Sequence, residues 1–123
     1  MKYTGLSRRP VFIPSVGNFK QGMLVQLPLH LDDLPGKPTA GDMQGVYARH
    51  YAGSNTPEQF VKVLPPTDDG KLDALGLNDS NQLEIRVFPN EEHRHAVAIA
   101  RLDNLGKGAS GAAVQNLKLM LRL

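Results

Sequence analysis

The chain has 123 residues, of which 41% are hydrophobic and 21% charged, with a formal net charge of +2 and no cysteine. That is apolar material for one core and a single domain over residues 1–123. The missing cysteines exclude a disulfide framework, a thiolate metal site and a cysteine nucleophile within these residues. The basic side chains (Arg8, Arg9, Lys20, Lys37, Lys62, Arg101, Lys107 and Arg122 among them) are scattered, so neither nucleic acid nor membrane is the expected partner. No apolar run approaches the roughly 18 residues of a membrane span. The opening MKYTGLSRRP lacks a signal-peptide core, which sets a cytoplasmic expectation.

In chain order, residues 10–16 (PVFIPSV) read as a short strand near a sheet edge, because Pro10 and Pro14 cannot donate to a ladder. Gly17 and Asn18 supply turn chemistry. GMLVQLPLHL alternates Met23, Val25, Leu27 and Leu29 against Leu24, Gln26, Pro28 and His30, a period of two that predicts a strand with one buried side. After the turn-rich DDLPGKP, Thr39 is a candidate N-cap for a helix AGDMQGVYARHYA, with Met43, Val46, Tyr47 and Tyr51 at helical spacing. Gly41 and Gly45 weaken that helix by about 1 kcal/mol each. Gly53–Pro57 reads as a loop, and QFVKVLP as a further strand. A loop then runs from Pro65 to about Gln82, with apolar residues only near Leu72–Leu77. LEIRVFP and HAVAIARL form two strands joined by NEEHR in hairpin spacing, and a last helix runs from about Lys107 to Leu121. Strand, strand, helix, strand, strand, strand, helix is not a regular alternation. The predicted class is α+β, with a mixed or mostly antiparallel sheet covered by helices.

Gly106, Gly108 and Gly111 spell G-x-G-x-x-G near the end of the chain. A dinucleotide fingerprint needs a strand before it, a helix opening on it and a second strand presenting an acidic residue about 20 positions on. Only twelve residues follow Gly111, so the third condition fails and this is no Rossmann unit. Ala109, Ala112, Ala113, Leu117, Met120 and Leu121 form one helical stripe, consistent with a terminal helix packed closely on a sheet. Asp103 and Asn104 lie at the strand-to-helix junction, where a polar side chain caps the helix or meets a ligand. Gly106 and Gly108 are expected to bring free N–H groups there, and Lys107 a cation.

These residues carry a resemblance. RLDNLGKGASGAAVQNLKLML closely resembles the C-terminal signature of the N-acetyl-γ-glutamyl-phosphate reductase family. VFIPSVGNFKQGMLVQLPLHL resembles its strand–turn–strand segment, and FPNEEHRHAVAIARLDN its penultimate hairpin. The resemblance runs from about residue 8 to the end. It implies the C-terminal catalytic and dimerisation portion of a two-domain reductase, akin to the C-terminal domain of the glyceraldehyde-phosphate/semialdehyde dehydrogenase superfamily, without the N-terminal Rossmann domain. The implied reaction is NADPH-dependent reduction of N-acetylglutamyl phosphate to N-acetylglutamate semialdehyde in arginine biosynthesis. A cysteine thiolate forms a thioester and a histidine manages protons. This chain departs from that pattern: it has no cysteine, and His30, His50, His93 and His95 do not match the family histidine. No catalytic residue is therefore carried over, and the chain alone is expected to be inactive. Asn104 matches the family asparagine beside the nicotinamide, and Lys107 and Gly108 belong to the same motif, so these three are assigned to the NADP side. Gly17, Asn18, Phe19 and Gly22 match a family turn and are given a backbone-shape role.

Other constellations are weaker. His93 and His95 in NEEHRH fit an exposed turn better than a metal site, and no metal is expected. Asp32–Asp33 and Asp68–Asp69 sit in turn contexts, and Ser15, Ser54, Ser80 and Ser110 lack nucleophile-elbow surroundings. Strands rich in Met, Val and Leu are expected to pair across a two-fold axis, giving a homo-oligomer. The terminal helix is expected to expose an apolar stripe or cover another surface. Two readings stay open: a portion of a working reductase, or a stand-alone, non-catalytic dimerisation or interaction module. A relative closer to aspartate-semialdehyde dehydrogenase is a weaker third.

Overall fold

The computed structural model describes residues 5–52 and 60–123. Its elements are β1 (Met23–His30), α1 (Ala40–Ala52), β2 (Val61–Val63), β3 (Leu83–Asn90), β4 (His95–Leu102) and α2 (Gly111–Leu121). A short 3₁₀ turn lies at Leu31–Asp33 and a wide π turn at Gly106–Ser110. The four strands make one sheet in the order β1-β4-β3-β2. β4 is antiparallel to both β1 and β3, while β2 runs parallel to β3, so the sheet is mixed and the fold is α+β. The loop proposed at Gly53–Pro57 lies outside the described residues.

Register decides which side chains meet. Val25, Ala100 and Ile85 align across the sheet, as do Leu27, Ala98 and Val87, and the odd residues of β1 share a face with the even residues of β4. On that face Val87, Ala96 and Ala98 join Leu31 and Ala40 in the core, and Met43 and Tyr47 of α1 pack against them. Val46, expected on the same helical face, remains exposed.

Thr39 closes the start of α1. Its Oγ1 accepts the Asp42 N–H (3.0 Å), while the Asp42 carboxylate accepts both the Thr39 N–H (2.9 Å) and its hydroxyl (2.7 Å). This reciprocal cap offsets the cost of Gly41 and Gly45. Thr39→Ala is expected to lower stability by about 1 kcal/mol, read as a lower urea midpoint at unchanged slope.

The β3–β4 hairpin turns through Glu91–Arg94. Asn90 Oδ1 accepts the His93 N–H (3.2 Å), and Arg94 adopts φ +53°. The Arg94 guanidinium then donates to Asp32 (3.1 Å) and to the Lys37 carbonyl (2.9 Å), tying the hairpin tip to the chain before α1. On the opposite face Glu84 and Arg101 are cross-strand partners joined at 2.5 Å, and Arg101 also reaches the Asp73 carbonyl (3.1 Å). The 65–77 loop is thereby held over that end of the sheet.

Three expectations are corrected. Residues 10–16 form no strand: they are exposed, Phe12 at 85%, and no neighbouring strand among the described residues offers them a ladder. Of the strand expected over 59–65, the described residues 60–65 form strand only at Val61–Val63. The apolar face of β1 is not buried, since α1 packs on β3 and β2 and leaves Val25 52% and Leu27 49% exposed at the sheet edge.

Candidate functional site

The chain leaves β4 at Leu102 and enters a turn through Asp103, which is 2% exposed. Its Oδ1 accepts the N–H groups of Leu105 (2.8 Å) and Gly106 (3.1 Å), the geometry of a helix cap. Its Oδ2 accepts the Asp79 N–H (2.8 Å) and the Gln21 side-chain amide (3.2 Å). Its carbonyl accepts the Gly108 N–H (2.8 Å), which opens the π turn. One residue thus joins the turn before β1, the loop before β3 and the approach to α2.

The N–H groups of Gly106 and Gly108, expected to be free, are therefore both spent on Asp103. The glycines have another use. A Cβ on Gly106 would sit 2.8 Å from the Ser80 carbonyl, and one on Gly111 would overlap the Asn81 side-chain oxygen. They let the 78–82 loop lie directly against the start of α2, so Gly106 and Gly111 here serve the packing of one segment of the chain on another.

Burial alone would raise the Asp103 carboxyl. The N–H groups of Leu105, Gly106 and Asp79, with the Lys20 charge, outweigh that and hold it below its ordinary value. Asp42 is lowered by the Thr39 cap in the same direction. A carboxyl depressed in the folded state contributes stability that is full above its unfolded value, about 3.9. That contribution is lost as pH falls through the depressed folded value. Stability from these two groups is expected to be flat above about pH 5 and to decline below about pH 4. Asp103→Asn should flatten that decline, as urea midpoints across the acid range will show.

Asn104 is half-buried, and its Oδ1 accepts the Gly22 N–H (2.8 Å). The junction motif thus touches the turn before β1 across 82 positions of chain, and Asn104 Nδ2 has no hydrogen-bond partner among the described residues. Lys107, expected to bring a cation to the junction, bonds the Gln115 side-chain oxygen and lies 5.1 Å over the Phe60 ring. Burial lowers its ammonium below the usual lysine value. Gly108 is exposed, with its N–H committed.

Two shallow grooves flank the junction. One, of about 340 Å³, lies between Asp79, Ser80, Asn81, Asp103 and Gly111. The other, of about 300 Å³, lies between Phe19, Lys20, Leu75 and Asn78; Gln21 and Asp79 line both. Asn104, Lys107 and Gly108 line neither. Gln21 and Asp79 were not singled out in the sequence. Asp79 takes φ +59°, and NDSN at 78–81 is a composition that tolerates such a backbone. Among the described residues, no three or more of His, Cys, Asp and Glu gather as a metal site; His30 and His95 meet edge-to-face at 4.4 Å.

α2 departs from the expected close packing. It has no buried residue, its main contacts are with the preceding π turn, and Val114, Leu117, Met120 and Leu121 stay exposed.

The model of the family "semialdehyde dehydrogenase, dimerisation domain" matches residues 1–104. The chain is 48% identical to N-acetyl-gamma-glutamyl-phosphate reductase 2 of Nostoc sp. over 99% of its own length and 38% of that protein's. It is 47% identical to the N-acetyl-gamma-glutamyl-phosphate reductase of Trichormus variabilis over the same shares. Against that of Brucella ovis it is 48% identical, over 94% of this chain and 37% of the relative. The chain thus spans well under half the length of these curated relatives. With the family match covering the sheet, α1 and the Asp103–Asn104 junction, the chain belongs to the semialdehyde dehydrogenase dimerisation-domain family.

Proposed function

We propose that this chain is the dimerisation and catalytic-domain portion of an N-acetyl-γ-glutamyl-phosphate reductase. It would act in the cytoplasm in the NADPH-dependent reduction of N-acetylglutamyl phosphate to the semialdehyde, a step of arginine biosynthesis. The observation that carries this reading is the bond from the Gly22 N–H to Asn104 Oδ1 (2.8 Å), which brings two segments resembling the reductase motifs into contact. That bond fixes the asparagine with its Nδ2 free to donate to a nicotinamide amide oxygen. NADP, when bound, supplies the hydride. Of this chain's own groups, Asn104 orients the cofactor, while Lys107 and Gly108 of the same motif lie on the cofactor side with their own polar groups held by Gln115 and Asp103. The thiolate and the proton-handling histidine are not among these residues and would come from the rest of the subunit.

The surface supports self-association. The chain exposes 9229 Å², where a compact monomer of its mass would expose about 6500 Å². Among the described residues, exposed large hydrophobics outnumber the buried ones, and they gather in residues 11–16, on β1 and on α2. A second copy covering β1 and residues 11–16 accounts for the surplus on that side. The uncovered stripe of α2 favours a secondary reading, in which the chain acts as a stand-alone interaction module through that helix.

A complete reductase in which this segment replaces the corresponding part of the Nostoc relative tests the main reading. Retained reductase activity is expected. A folded, dimeric but inactive chimera would contradict it.

A further inference from the structure

We propose that Asp103 is a positioning residue for cofactor use: its buried carboxylate fixes Asn104 in the orientation that presents Nδ2 to the nicotinamide. This rests on the reading of Asn104 given above. Asn104 hangs from a backbone that cannot move without Asp103. On one side Asp103 Oδ1 and its carbonyl hold Leu105, Gly106 and Gly108; on the other Oδ2 holds Asp79 and Gln21. Gln21 immediately precedes Gly22, whose N–H bonds Asn104 Oδ1. Asp103 and Asn104 therefore close a small ring. Asp103 anchors the Gln21 side chain, the next residue's N–H anchors the asparagine, and both anchors lie in the turn just before β1. The Asn78 side chain donates to the Gln21 carbonyl (3.3 Å) and completes the clamp. A carboxylate accepts from all four side-chain-directed donors at once. An asparagine in its place keeps one acceptor oxygen and sets an NH₂ against N–H groups, so it cannot hold both sides. Asp103 touches no cofactor; it acts through its neighbour.

Two measurements separate the parts of this proposal. In the chain itself, Asp103→Asn should speed amide exchange at Gly22 and Gly108 at least ten-fold while β3 and β4 amides keep their protection. Unchanged exchange at Gly22 would overturn the positioning role. In the chimeric reductase, Asp103→Asn and Asn104→Ala should each raise KM for NADPH at least ten-fold, with the double variant no worse than either single change. If Asn104→Ala raises KM and Asp103→Asn does not, the positioning proposal fails and the role of Asn104 stands. If neither moves KM in an active enzyme, the assignment of Asn104 fails and takes the proposal with it. Should Asp103→Asn not fold, Gln21→Leu decides: it leaves the carboxylate charged and removes one anchor. A KM rise of three-fold or more supports the proposal, and an unchanged KM overturns it.

Discussion

Gly22→Ala is expected to destabilise the chain by about 2–4 kcal/mol, more than a strained backbone alone would explain. Two effects coincide. Gly22 adopts φ +113°, a conformation open to glycine and costly for alanine. An added Cβ would also sit 2.6 Å from the Ala74 carbonyl oxygen and 3.0 Å from the Leu75 side chain. The carbonyl is backbone, and its loop is held by the Arg101 guanidinium on Asp73, so it cannot yield cheaply. Any shift of Gly22 also breaks its bond to Asn104, so local damage reaches the junction. Gly36 provides the control: it has φ +77° and nothing within 4 Å of an added Cβ. Gly36→Ala should cost about 1 kcal/mol, and Gly22→Ala should lower Tm by about 10 °C or more. Equal losses for the two variants would show that the close approach to Ala74 is unimportant.

Leu27→Asp is expected to weaken self-association at least 100-fold, about 2.7 kcal/mol, with little change in the fold of the single chain. Leu27 lies mid-strand in β1, half exposed, between Val25 and the core-facing end of the strand. In a covered interface its replacement would bury a carboxylate without a partner, which is among the costliest single changes. In the free chain the same carboxylate would reach water. Val46→Glu on the exposed side of α1 is the control and should leave association intact. Unchanged association in Leu27→Asp, measured by concentration-dependent light scattering, would move the interface away from β1.

The elements formed by strong local patterns were legible in the sequence. The period-two alternation of β1, the hairpin spacing of β3 and β4 and the Thr39 cap of α1 each depend on residues close in the chain. The failures share a physical origin in partners distant in sequence. PVFIPSV has the composition of a strand, yet a strand needs a neighbour to bond, and none of the described strands lies beside it. The face of β1 reads as buried because apolar alternation reports what is meant to be covered, not what covers it. At the junction, Asp103 and Asn104 were legible as a polar pair between strand and helix. Their partners Gln21, Gly22 and Asp79 could not be read, since nothing local in QGM or NDSN signals a bond spanning 24 to 82 positions. The N–H groups of Gly106 and Gly108 read as free because the sequence does not show that Asp103 turns its carboxylate onto the first and its carbonyl onto the second.

Sedimentation equilibrium of the chain at micromolar concentration tests the central claim most directly. A self-associating dimerisation domain predicts a species of twice the 13.4 kDa chain mass, returning to the single-chain mass in Leu27→Asp. A monodisperse single-chain species that stays so as concentration rises would contradict it, and the exposed apolar surface of β1 would then need a different partner.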